Sequence, residues 1–234
     1  MADLTSAATT LQLSCAELSV REINAILRDL PDGATVRITE PRGRHNLAVG
    51  LRRHLTVTIA GNAGYFIGGL CDGPDITVEG FVGWSVGENL MSGTVRVHGN
   101  ASECAAASAH GGLVAIEGDA SSRAGISLKG GTLAVAGDVG HMSGFMAQAG
   151  TIFIGGDAGE SLGDSLYEAV IYVGGKIRSL GSDARVEDLG PSDVARVRDL
   201  VAQTGFGHIS PEDVTRVASA KQLYNFDALK DQKY

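Results

Sequence analysis

Glycine returns at positions 61, 80, 99, 118, 137, 156 and 175, a 19-residue interval held through six periods without an inserted or deleted residue. The residues two and four before each glycine form apolar columns. They are Val57 and Ile59, Ile76 and Val78, Val95 and Val97, Val114 and Ile116, Leu133 and Val135, Ile152 and Ile154, and Ile171 and Val173. Alternate residues of a strand point to the same side, so each period contributes one strand whose pair faces a shared interior. The residues between them, such as Thr77, Arg96 and Tyr172, face outward. A column of small residues, Gly68, Gly87, Ala106, Gly125, Gly144 and Gly163, keeps the same register and marks a wall with little room.

A 19-residue unit is too short for a strand, a crossover helix and their loops, but it suffices for one coil of short strands joined by turns. The predicted fold is an all-β core, a single-stranded right-handed parallel β-helix with coils of about 19 residues, flanked by short helical caps. Seven coils stacked at ~4.8 Å would make a rod about 34 Å long. Glycine supplies 33 of the 234 residues, about twice the usual ~7% share, as a chain of tight turns requires. Each repeat glycine is expected to sit where positive φ or close backbone approach excludes a side chain. Asn62, Asn100, Asp119, Asp138 and Asp157 follow five of them, where a short polar side chain can bond nearby amides and hold the turn.

Three regions follow: 1–45, an N-terminal helix and capping strands; 46–185, the β-helix; and 186–234, a C-terminal helical cap and tail. Ser19 and Glu22 form a capping-box pattern ahead of Ile23, Ile26, Leu27 and Leu30, and strands are expected near 34–40 and 46–51. Pro191 opens a helix carrying Val194, Val197, Leu200 and Val201, and Ser210, Pro211, Glu212 and Asp213 are expected to open another. In the tail, residues 221–234, Leu223, Tyr224, Phe226 and Leu229 are too few to bury one another and should lie on the rod or on a partner.

Net charge is −8 with Lys and Arg scattered singly, which argues against nucleic acid or anionic membrane as partners. No stretch approaches the ~20 apolar residues of a membrane span, and the start lacks a signal-peptide pattern, so the expected compartment is the cytoplasm. Cys15, Cys71 and Cys104 are isolated and read as reduced packing residues. The glycine-rich segments 68–73 and 155–164 lack the following helix of a phosphate loop. Tyr65, Trp84, Glu103, Ser122, His141 and Glu160 share one column, too uneven for a metal-ligand ladder, and Glu88, Glu103, Glu160, Asp164 and Glu168 show no specific acid–base pairing. Nothing in the residues points to a catalytic, cofactor or metal site in this chain.

Four phrases, SVGENLMSG at 85–93, SSRAGISLKGG at 121–131, GHMSGFMAQAG at 140–150 and GDSLYEA at 163–169, resemble the GXGXG domain of glutamate synthase. The similarity covers roughly residues 50–225 and is nearest to the stand-alone β-helix subunit of N-methylglutamate synthase, whose ending is similar to residues 219–226. A more distant resemblance is to the C subunit of formylmethanofuran dehydrogenase and of the formyltransferase/hydrolase complex. The nearer resemblance implies a hetero-oligomer with a glutamine-amidotransferase-like subunit and an FMN-binding, iron–sulfur-containing subunit of the glutamate synthase type. It implies the conversion of glutamate and methylamine to N-methylglutamate and ammonia. It places nucleophile, FMN and cluster in the sister chains, leaving no cofactor and a structural role here. Partner contact is expected where outward columns carry large or unusual residues: His141, Met142, Phe145, Met146 and Gln148, for which an inward, core position is the alternative, with Tyr224 and Phe226 in the tail. Weaker candidates are Glu88, Asn89, Met91, Arg123, Lys129, Tyr167 and Glu168.

Overall fold

The computed structural model describes residues 10–220 and is a parallel β-solenoid of about seven turns. The repeat strands are β3 (Thr56–Ile59), β4 (Asp72–Val78), β5 (Ser92–Val97), β6 (Leu113–Ile116), β7 (Lys129–Val135), β8 (Ala149–Ile154) and β9 (Val170–Val173). Each pairs in parallel with the next, and the register is the one the glycines imply: Val57 opposite Ile76, Ile76 opposite Val95, and so on to Ile171. Both inward columns are buried in one continuous core, each aliphatic side chain contributing roughly 1.5–3 kcal/mol. Two strands precede them in the same sheet, β1 (Leu11–Ser14) and β2 (Thr35–Thr39), so the stacking begins ahead of residue 46.

The segment 46–51 is not the strand expected of it. Asn46, Ala48 and Gly50 take positive φ, which destroys the pleat, and the segment forms the turning wall of the first coil with Leu47, Ala48 and Leu51 buried. A further ladder follows the repeat glycines from Gly80 onward, through Val82, Ala101, Ala120, Val139, Ala158 and Ile177.

Close approach, and not positive φ, explains the glycine column. Of the seven, only Gly61 has positive φ. At Gly80, Gly118, Gly137, Gly156 and Gly175 an added Cβ would strike the Oδ1 of the Asn or Asp one coil earlier, and at Gly99 it would meet backbone at 2.9 Å. Those oxygens are engaged. Asn62 Oδ1 accepts the amide of Phe81 (3.1 Å), Asn100 that of Asp119 (3.0 Å), Asp119 that of Asp138 (2.9 Å), Asp138 that of Asp157 (2.6 Å) and Asp157 that of Lys176 (2.7 Å). The side chain holds the turn, as expected, by bonding the next coil.

At the front, α1 (Val20–Asp29) closes the rod. Its capping box is present: the Ser19 amide donates to Glu22 Oε2 (2.8 Å) and the Glu22 amide to Ser19 Oγ (3.3 Å). Ile23 and Leu27 are fully buried in the main core. At the back, α2 (Pro191–Thr204) flanks the rod differently. Its Val197 and Leu200, with Phe206, Ile209 and Val214, cover the outward column Ala115, Ala134, Phe153 and Tyr172. Tyr172 therefore faces away from the rod interior but is buried. The second helix expected at Ser210 does not form; residues 210–213 turn, and β11 (Thr215–Ser219) inserts antiparallel between β9 and β10 (Ala184–Glu187). The unpaired edge of β9 claims that segment as a strand, burying Val217 in the core.

Candidate functional site

Between each Asn/Asp turn and the next strand, the coil runs through three alternating left-handed residues. In one coil these are Arg123, Gly125 and Ser127; in the next, Met142, Gly144 and Met146. Left-handed backbone costs a non-glycine residue roughly 1–2 kcal/mol. Interlocking backbone bonds hold it: Arg123 and Ser127 donate forward to His141 and Phe145 carbonyls at 2.8 Å, while Gly125 donates back to Ala105 at 2.8 Å. The middle residue of each trio points inward, since a Cβ on Gly125 would lie 2.6 Å from Ile152 Cδ1. The flanking ones line an outer wall, one row per coil.

This wall collects the predicted contact residues. His141, Met146 and Gln148 are exposed, and Met142 and Phe145 are half-buried; none lies in the rod interior. Their 19-residue spacing to the weaker candidates becomes vertical neighbourhood. Arg123 sits one coil before Met142, Lys129 before Gln148 and Tyr167 after it, with Met91 further along that row and Asn89 along the row of Met146. Glu88 and Phe145 share another row, and the Glu168 amide donates to Gln148 at 2.9 Å. Tyr224 and Phe226 lie outside the described residues.

Two features of the outer surface escaped the sequence reading. One is a groove of about 700 Å³ in which Leu70 and Met91, each about half exposed, lie between Arg52 and His110. Leu70 belongs to the left-handed row, and that register was the available signal. The other is a stack of aromatic rings, His45 on Tyr65 at 4.2 Å and Tyr65 on Trp84 at 5.3 Å. Tyr65 and Trp84 share one sequence column and are about half exposed, but His45 precedes the regular period, so its place on the stack could not be counted out.

The titratable groups are mostly at the surface. Burial pushes the Cys71 thiol up to about 11, and burial also raises Cys15 and Cys104, keeping all three protonated at neutral pH. Glu160, one of the acidic residues weighed for catalysis, pairs with Arg178 (3.1 Å), and Asp164 accepts from Ser165 Oγ (2.8 Å) and the Ser182 amide (3.2 Å). Among the described residues no three His, Cys, Asp or Glu side chains gather as a metal site, and no helix is long and apolar enough to cross a membrane. The geometry offers broad rows of apolar and polar side chains on a stiff backbone, suited to contact with another macromolecule. No protein-family model and no curated protein matches the chain.

Proposed function

We propose that this chain is a non-catalytic, organising subunit of a glutamate-synthase-type enzyme, with N-methylglutamate synthase the assembly its sequence resembles most closely. The observation that carries this reading is the placement of the four resembling phrases. Residues 85–93, 121–131, 140–150 and 163–169 fall on the same turning wall; the last three lie in successive coils and the first lies two coils before them, across the coil of 104–112. Large side chains stand on that face, Met91 at 48% exposure and Met146 at 37%, where water is a poor neighbour for them. In this role the rod holds an amidotransferase-like chain and an FMN- and iron–sulfur-containing chain at fixed separation, and the wall or tail supplies contacts.

Isolation from the native source tests the assignment. An amidotransferase-like chain and an FMN-containing chain should travel with it, and the chain purified alone should show no flavin absorption and no turnover. Molybdenum- or tungsten-type or formyltransferase chains in their place would point to the formylmethanofuran-type assembly. Phe145→Asp and Met146→Asp should each reduce co-purification of partners at least tenfold while leaving circular dichroism unchanged. Full retention of partners by both variants would remove this wall from the interface.

A further inference from the structure

The two ends of the rod are finished differently. At the first coil α1 lies over the core, and on the edge strand β1 Leu13 is 6% exposed while Leu11, the front end of the column that Ile171 belongs to, is 37% exposed. At the last strand α2 lies along the outer face instead, and the inward column continues from Ile171 to Val217 and then to Val186. Directly opposed residues of an antiparallel pair project to the same face, so Val186 lies on the core side, beyond buried Val217. It is 56% exposed, the most exposed of the large hydrophobic side chains described. Among the described residues β10 has a strand partner on one side only, so the alternate N–H and C=O groups along its other edge have no ladder partner among them.

The sequence of β10 is complementary to itself. Arg185 and Glu187 flank Val186 on the opposite face, their side chains 58% and 27% exposed; within one chain they pair with each other at 2.6 Å, a partner each would exchange for its counterpart in a second copy. We propose that β10 is a homodimerisation strand. Two copies of the chain pair antiparallel about a two-fold axis at Val186, joining their sheets edge to edge. Centring the pair on Val186 puts Val186 against Val186 of the second copy. It also puts Arg185 opposite Glu187 of the second copy, twice by symmetry. The unfinished core column of each rod then continues into the other, and two opposite-charge pairs fix the register. A partner with a different sequence would need to supply both the apolar residue and the inverted charge order; a second copy supplies both.

Sedimentation velocity on the full chain tests this over a 1–200 µM series. A reversible dimer is expected, with Val186→Asp and Arg185→Glu each weakening it at least tenfold. Glu187→Arg should weaken it similarly. It also meets Arg216, so its folding is checked by circular dichroism. The decisive sample is an equimolar mixture of Arg185→Glu and Glu187→Arg chains, whose inverted charges match each other and should restore dimer. A wild-type chain monomeric throughout the series overturns the proposal, as does a dimer that survives both Val186→Asp and Arg185→Glu. The measurement uses one chain alone, so it is independent of the subunit role proposed above.

Discussion

At the scale of single residues, the most informative position is one that carries no side chain. Gly137 leaves space for Asp119 Oδ1, and that oxygen holds the amide of Asp138. Gly137→Ala should therefore cost about 1–3 kcal/mol by urea denaturation, from an overlapping Cβ and a displaced hydrogen bond at the turn. Gly207→Ala, where a Cβ meets nothing within 4 Å, should stay within about 0.5 kcal/mol. Adding Asp119→Ala to Gly137→Ala should recover part of the loss, because the methyl then has room. Strict additivity in that double-mutant cycle would contradict the steric account. The glycine spacing alone announced the fold, but it could not choose between positive φ and crowding. That choice depends on the residue one coil away, which sequence order hides.

Among the elements, the second helix shows best how contact and charge combine. Tyr172 Oη donates to Asp193 Oδ1 (2.7 Å), the Arg216 Nε donates to the same oxygen (3.0 Å), and Arg216 also pairs with Glu187. Burial, then the bond to Asp193, pushes Tyr172 up to about 12. A phenol whose folded value lies above its ordinary value near 10 stabilises the fold while neutral. That contribution is present below about pH 10 and is lost as pH rises toward 12. Tyrosinate absorbance should show one late-titrating tyrosine, missing in Tyr172→Phe. Burial pushes Asp193 up, but the bonds from Tyr172, the Gly190 amide and Arg216 outweigh it; the Arg185 and Arg216 partners hold Glu187 low as well. Their share of stability exists above the ordinary carboxylate range and falls away in acid. At the other end, Ser19→Ala should cost about 1 kcal/mol, the capping box being intact. β3 to β9 and α1 were legible because their patterns are local and periodic. β10 and β11 were not: Ser210-Pro211-Glu212 carries helix-start chemistry, and the pairing that makes Thr215–Ser219 a strand is imposed by distant β9. The outward run Ala115, Ala134, Phe153, Tyr172, smaller or more aromatic than Thr77 and Arg96, was the trace that α2 leaves in the sequence.

Across the whole molecule, the contacts of a coil are chiefly with the coils on either side, so stability should add by neighbours. Deleting residues 85–103, one full period, joins Trp84 to Cys104 in unchanged register. The shortened chain should fold with the same circular dichroism and a lowered melting temperature, whereas deleting 85–94 should leave it unfolded or aggregated. The outer wall was half legible for the same reason. Met142, Phe145, Met146 and Gln148 stood out against repeating small residues, yet the face they share with Met91 exists only after coiling. The unbroken interval has a last consequence, for measurement of distance. A rod of this kind is a ruler graduated in steps of ~4.8 Å. Whatever grips its rows is set apart from its neighbour by a whole number of those steps, and gene duplication can lengthen the scale without recalibrating it.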